Sequence, residues 1–390
     1  MTLAWSQRRR MPYVHLLAFT IVVAGLTSCA EAPPAGVTRT YYVAADEVDW
    51  NYVPYDSDLT LGKPLIPKVF AIQNAPPVMA KVFHKAVYHE YTDSTFTTRK
   101  PRPPKWQHLG MLGPVLRGAV GDTIVVVFRN NTTFPASMHP HGVFYSKANE
   151  GALYNDGTSG AEKMDDSVPP GGTFRYVWPI PERAGPGPND PSSIMWAYHS
   201  HTTERKDVYS GLIGAIIVTR RGMARADGSP KDVDREFVTL FGSFDENGSH
   251  FAAMNRKRYL GDTALVGPKG PRIFNVNGYH TINGLMYGNA GLDAFTMRQG
   301  EHVRWYLFSS SGFDDFHTPH WHGNTVLVHG ARTDVIDLGG PLLMVTADMI
   351  ADNPGTWIFH CHFAEHMVEG MSTRYRVLPA DAAPASGAAD

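Results

Sequence analysis

Ten of the eighteen histidines in this 390-residue chain, and one of its two cysteines, fall into short regular groups. In "WIFHCHFAEHMVEGM" (357–371), Cys361 stands between His360 and His362, with His366 and Met371 following. Three more HxH pairs lie upstream: His139 and His141 in "MHPHGV", His199 and His201 in "WAYHSH", His320 and His322 in "PHWHGN". Imidazole and thiolate are ligands for zinc, copper or iron rather than for hard oxygen-seeking ions. Side chains of an extended segment alternate between faces, so the i, i+2 spacing sends both rings of each pair to one side and Cys361 to the other. One segment can therefore serve two sites. Single histidines are ordinarily surface or satisfied core residues, and a structural zinc site needs only four ligands. Eight further imidazoles suit several ions held together.

The groups also repeat. "MHPHGV" aligns with "PHWHGN" and "WAYHSH" with "WIFHCH", pairing His139, His141, His199 and His201 with His320, His322, His360 and His362. His317, Cys361, His366 and Met371 instead meet Ala136, Ser200, Arg205 and Ser210. All four are missing together from the first half. Two histidines, a cysteine and a later methionine have the composition of a blue-copper electron-transfer site.

The elements that must position these residues read as strands: "TIVVVFRN" (123–130), "TFRYVW" (173–178), "GLIGAIIVTR" (211–220), "HVRWYLF" (302–308) and "TWIFHCH" (356–362), separated by Gly, Pro and Asp clusters. With 37 Gly, 29 Pro and no long helical periodicity, the chain reads as all-β, built of β-sandwiches. The polar stretch 220–236 is where one sandwich would end and the next begin, and residues 380–390 read as a disordered tail. Residues 1–29 read as a signal peptide, and "LTSC" resembles a lipobox whose Cys29 is lipidated; ordinary secretion with an unrelated cysteine is the alternative. "SQRRRM" hints at twin-arginine export without the usual apolar residues after the arginines. Starting at Cys29 would remove three arginines, leaving 32 basic against 37 acidic residues and a net charge of −5. No basic run argues for nucleic acid. Cys361 would then have no disulfide partner, which favours a metal-ligand role.

The pattern HxH, HxH, HxxHxH, HCHxxxHxxxxM resembles that of the multicopper oxidases. That resemblance implies a type 1 copper on His317, Cys361, His366 and Met371, and a type 2 copper on His139 and His320. It also implies a type 3 pair on His141, His199, His201, His322, His360 and His362, making four coppers per chain. It implies one-electron oxidation of a reducing substrate at type 1, with O2 reduced to water at the other three. "FHKAVYHEYTDSTF" (83–96), "YHSHTTERKDVYSGLIG" (198–214) and "HTINGLMYGN" (280–289) resemble the domains of ceruloplasmin and hephaestin, and two-domain small laccases share the ligand arrangement. The resemblance implies two cupredoxin-like Greek-key β-sandwich domains, 39–222 and 223–379, joined to the signal segment by a linker (30–38). Since the related six-domain chains place the cluster between their first and last domains, it further implies a head-to-tail homotrimer, exported and lipid-anchored at the membrane.

Tyr145 matches a small-laccase tyrosine beside the cluster that can supply an electron, or is a core tyrosine. His280 and Glu365 fit part of a ceruloplasmin-like iron site, or a solvated rim; Asn275 stands where those relatives have a glutamate. The substrate is thus Fe(II) or a phenol or aromatic amine. Asp165 and Asp166 resemble a calcium-binding pair, or are turn carboxylates. A copper nitrite reductase would place type 1 in the first half, and a simple copper-binding or electron-transfer lipoprotein would need none of the eight paired histidines.

Overall fold

The computed structural model describes residues 36–65, 69–72, 78–260, 273–274, 279–310 and 316–382. The signal segment with Cys29, Asn275 and residues 383–390 lie outside them.

The chain is all-β, two cupredoxin-like Greek-key sandwiches with short helices. In the first, one sheet has the order Thr173–Pro179, Thr123–Asn130, Thr38–Asn51, Val82–Tyr91, and the facing sheet the order Leu116–Ala119, Ile213–Thr219, Ser193–His199, His139–Pro140. The second pairs a sheet centred on Arg235–Phe244, His302–Ser310 and Met344–Ile350 with one of order Thr296–Arg298, Ser372–Leu378, Gly355–Cys361, Pro319–Trp321. Along Thr123–Asn130, Ile124, Val126 and Phe128 point into the first core beside Tyr176 and Trp178. That is the period-2 alternation expected of β-branched and aromatic residues on a half-buried sheet.

Ile213–Thr219 departs from alternation because both of its faces are covered, and every residue is buried. Ile216 and Val218 join the first core, while Ile213, Ala215 and Ile217 join a middle core with Val238, Leu240, Tyr306 and Phe308 of the second sandwich. Such a strand reads as one continuous apolar run. Arg235–Phe244 does the same from the other side, sending Val238 and Leu240 to the middle core and Phe237 and Phe241 to the third. Three helices were not anticipated from periodicity: α1 (Glu204–Ser210), α2 (Ala252–Leu260) and α3 (Ala364–Val368). Two of them begin within three residues of an HxH pair.

Candidate metal centre

Register brings the histidine pairs together. His139 lies opposite His199 in an antiparallel ladder, and His320 lies opposite His360. Gly142 and Gly323, which follow the upstream pairs, both have positive φ (73° and 75°), and a Cβ on either would run into the ring of Trp196 or Trp357. The glycine of each HxHG and the tryptophan of each WxxHxH thus form one packing unit, present twice.

In the first group, the rings of His139, His141, His199 and His201 stand 5.2–5.6 Å apart. His139 Nδ1 bonds to the Glu150 carbonyl (2.7 Å) and His199 Nδ1 to the Ser200 carbonyl (3.0 Å). A carbonyl only accepts, so Nδ1 carries the proton and Nε2 keeps its lone pair for a metal. His141 Nε2 and His199 Nε2 are 3.1 Å apart. Burial lowers the pKa of His139, of His141 to about 4, and of His199 well below the usual value, with neighbouring imidazoles adding to it. These rings are neutral at pH 7. Two facing lone pairs at that distance repel unless a cation or a shared proton lies between them, so the donor set fits a soft or borderline metal.

The second group matches it. His360 Nδ1 bonds to the Cys361 carbonyl (2.7 Å), and its Nε2 is 3.1 Å from His322 Nε2 and 3.2 Å from His320 Nδ1. Burial lowers His360 to about 4 and lowers His320 too. The rings of all four members are in contact, although the strand ends at Cys361, one residue short of His362. His322 and His362 are exposed. Among the described residues, no ring contact or hydrogen bond joins a histidine of the first group to one of the second.

On the opposite face of the same strand, His317, Cys361 and His366 are buried with their ligand atoms within 4.8 Å of one another. Cys361 Sγ is 3.6 Å from His366 Nδ1 and accepts the Thr318 N–H (3.3 Å). Met371 is fully buried, and backbone bonds tie it to the set: Cys361 N–H to the Met371 carbonyl (3.0 Å) and Met371 N–H to the His366 carbonyl (2.9 Å). The equivalent place in the first half is closed by hydrogen bonds. Ser200 Oγ accepts the Ser137 N–H (3.0 Å), as Cys361 does from Thr318, and donates to buried Asp207 (2.7 Å). His250 bonds the other Asp207 oxygen at 2.7 Å.

Tyr145 packs beside His139, ring centroids 5.8 Å apart, and burial raises its pKa. His280 stacks on His366 (4.2 Å, 18°), whose ring also stacks on exposed Phe363 (5.1 Å, 24°). His280 Nε2 is 3.1 Å from a carboxylate oxygen, and that carboxylate belongs to Glu369. The sequence pattern singled out Glu365, one turn earlier on α3; its spacing of four from Glu369 was the available signal. Asp165 takes the Gly151 N–H (2.8 Å), and burial raises its pKa to about 6. Asp166 faces the Lys163 ammonium (3.1 Å), which also meets Asp156 (2.9 Å) and the Tyr154 carbonyl (2.8 Å). A lysine therefore supplies positive charge beside that pair. Two rim carboxylates escaped the sequence reading: Glu204, 3.4 Å from His201, and Asp334, 3.6 Å from His320.

Two family models, both described as multicopper oxidase, match residues 95–222 and 265–381, together well over half of the chain. The chain is 42% identical over 345 residues to ferroxidase HEPHL1 of Homo sapiens, covering 87% of this chain and 29% of that protein. It is 38% identical over 354 residues to hephaestin of Homo sapiens (90% and 30%), and 38% over 343 residues to ceruloplasmin of Ovis aries (87% and 32%). It spans less than a third of the length of each. A blue copper oxidase from Nitrosomonas europaea shares the fold, with a TM-score of 0.55 at 17% identity over 87% of this chain and 86% of that one.

Proposed function

The chain belongs to the multicopper oxidases, and from that premise we propose that it couples four one-electron oxidations of a reducing substrate to the reduction of O2 to two waters. The observation that carries this reading is the division of labour across one strand, with Cys361 in a buried His₂Cys set and its two chain neighbours in a histidine group on the other face. Copper, the metal of this family, would supply the one-electron redox steps and the binding of O2.

The residues do the rest. His317, Cys361, His366 and Met371 would hold the type 1 ion in a dry pocket. His139 and His320 would hold type 2, and His141, His199, His201, His322, His360 and His362 the type 3 pair. The carbonyls of Glu150, Ser200 and Cys361 fix the tautomers of His139, His199 and His360, so that Nε2 is presented without rearrangement. The peptide links from Cys361 to His360 and His362 give an electron a short covalent path between the two faces. Tyr145, against His139, is placed to lend an electron to the same site.

Each half presents four histidines, and two halves are needed for eight. The two groups do not touch within the chain among the described residues, and His322 and His362 are exposed. We therefore assign the complete cluster to the junction of one chain's first half with the next chain's second half, in a closed head-to-tail homotrimer. Fe(II) is the favoured substrate, received beside His366 by His280 and Glu365. The exposed Phe363 stacked on His366 supports a second reading, in which a phenol or aromatic amine donates its electron. Export with a lipid on Cys29 completes the proposal. The test is copper content with O2 uptake: near four coppers per chain with oxidation of Fe(II) or a phenol supports the oxidase. Near two would indicate a nitrite-reductase-like enzyme, and near one a carrier.

A further inference from the structure

We propose that Glu369 is a second carboxylate, one turn beyond Glu365, that with His280 receives Fe(II) beside His366 and makes the chain favour Fe(II) over organic reductants; this rests on the oxidase reading above. His280 lies against His366, ring on ring at 4.2 Å. Its Nδ1 is 2.7 Å from Ser243 Oγ, and its Nε2 is 3.1 Å from Glu369 Oε2. When Nδ1–H donates to Ser243, the Nε2 lone pair and the carboxylate converge on one point. Two adjacent donors, each about 2.1 Å from a six-coordinate ion, stand about 3 Å apart, which is the spacing found here. The Glu369 N–H bonds to the Glu365 carbonyl (2.9 Å), so α3 continues its turn into Glu369 and the two carboxylates lie one turn apart on one side.

Carboxylate oxygen suits a hard divalent ion, whereas a neutral phenol gains nothing from it. Each Fe(II) held there gives up one electron, which crosses the stacked rings from His280 to His366, and leaves as Fe(III). Four such electrons, four protons and one O2 make two waters. Glu365 is exposed, whereas the half-buried Glu369 reaches the ring that stacks on His366.

The test uses the copper-loaded enzyme and the variants Glu369→Gln and Glu369→Ala. Glutamine keeps a hydrogen-bonding partner for His280 but removes the charge. Glu369→Gln is expected to raise the KM for Fe(II) roughly ten- to a hundredfold. The kcat/KM for a methoxyphenol and the visible absorption of the His₂Cys site should stay unchanged. Calorimetric titration with Zn(II), a redox-inert stand-in, should lose one binding event per chain in both variants. Unchanged Fe(II) kinetics and Zn(II) binding in Glu369→Gln would overturn the assignment. So would a parallel fall of Fe(II) and phenol turnover, which would make Glu369 a positioning residue for His280. A wild type inert to Fe(II) but active on phenols would sink the ferroxidase reading and this assignment together.

Discussion

A shared cluster can be tested by splitting it between two defective chains. His199→Ala removes the most buried ring of the first group and His360→Ala the central ring of the second, each about 3.1 Å from another imidazole nitrogen. Both lie in antiparallel ladders through main-chain bonds, so the strands keep their pairing and each substitution costs about 1–3 kcal/mol of stability. Alone, each variant has three histidines where four are needed, at every junction. When the two chains mix at random in closed rings, a junction receives an intact first half with even odds and an intact second half with even odds. About a quarter of the junctions are then complete. The intact second half also carries its own Cys361, so such junctions have a full electron path. Rings containing both chains, isolated through two affinity tags, have one complete junction in three whichever chain is in excess, and should consume O2 at roughly a third of the wild-type rate per chain. Mixed rings with no activity would place the cluster within one chain and end the head-to-tail reading.

Cys361→Ser should remove about one copper per chain together with the intense visible absorption of a His₂Cys site, leaving the other coppers in place by elemental analysis. Gly323→Ala adds a Cβ at φ +75° against the Trp357 ring. It should lower stability by about 2–4 kcal/mol in denaturant titration and weaken metal binding by the adjacent His322 more than by the buried His₂Cys set. His108 is fully buried, with Nε2 accepting the Val238 N–H (3.0 Å), and burial lowers its pKa to about 3. The folded state therefore binds fewer protons than the unfolded state between pH 6.5 and 3, so this contribution is complete above pH 6.5 and falls on acidification. It should cost roughly 2–3 kcal/mol by pH 4.5, and His108→Gln, which can still accept the Val238 N–H, should flatten that part of the stability profile.

The copper-ligand candidates were legible because their spacing is dictated by the strand. An i, i+2 pair shares a face whatever the rest of the fold does; the repeat matched pairs between the halves, and the ladders of the fold decide that the two pairs of each half meet. The Gly142–Trp196 and Gly323–Trp357 units show why the two motifs travel together, although their contact is not local. Glu369 was less legible because its partner is 89 positions away and the pairing depends on how α3 turns beneath His280. The same holds for Asp207 with His250, separated by 43 positions, and for His108 reaching Val238 across 130. No sequence period encodes such side-chain meetings. Helices α1 and α3 were missed because five to seven residues are too few to reveal a 3.6-residue period.

Ile213–Thr219 has its two faces in two different cores. A chain cut between the halves would leave Ile213, Ala215 and Ile217 of one piece, and Val238, Leu240, Tyr306 and Phe308 of the other, as bare apolar surface. Neither piece could be handled as an independent module without aggregating, and heating should melt the two sandwiches in a single calorimetric transition. The strand paired alongside the one that ends at His199 is thus also the weld of the molecule. Any loosening of the second sandwich would be felt at His199, through Ile213 directly across the ladder.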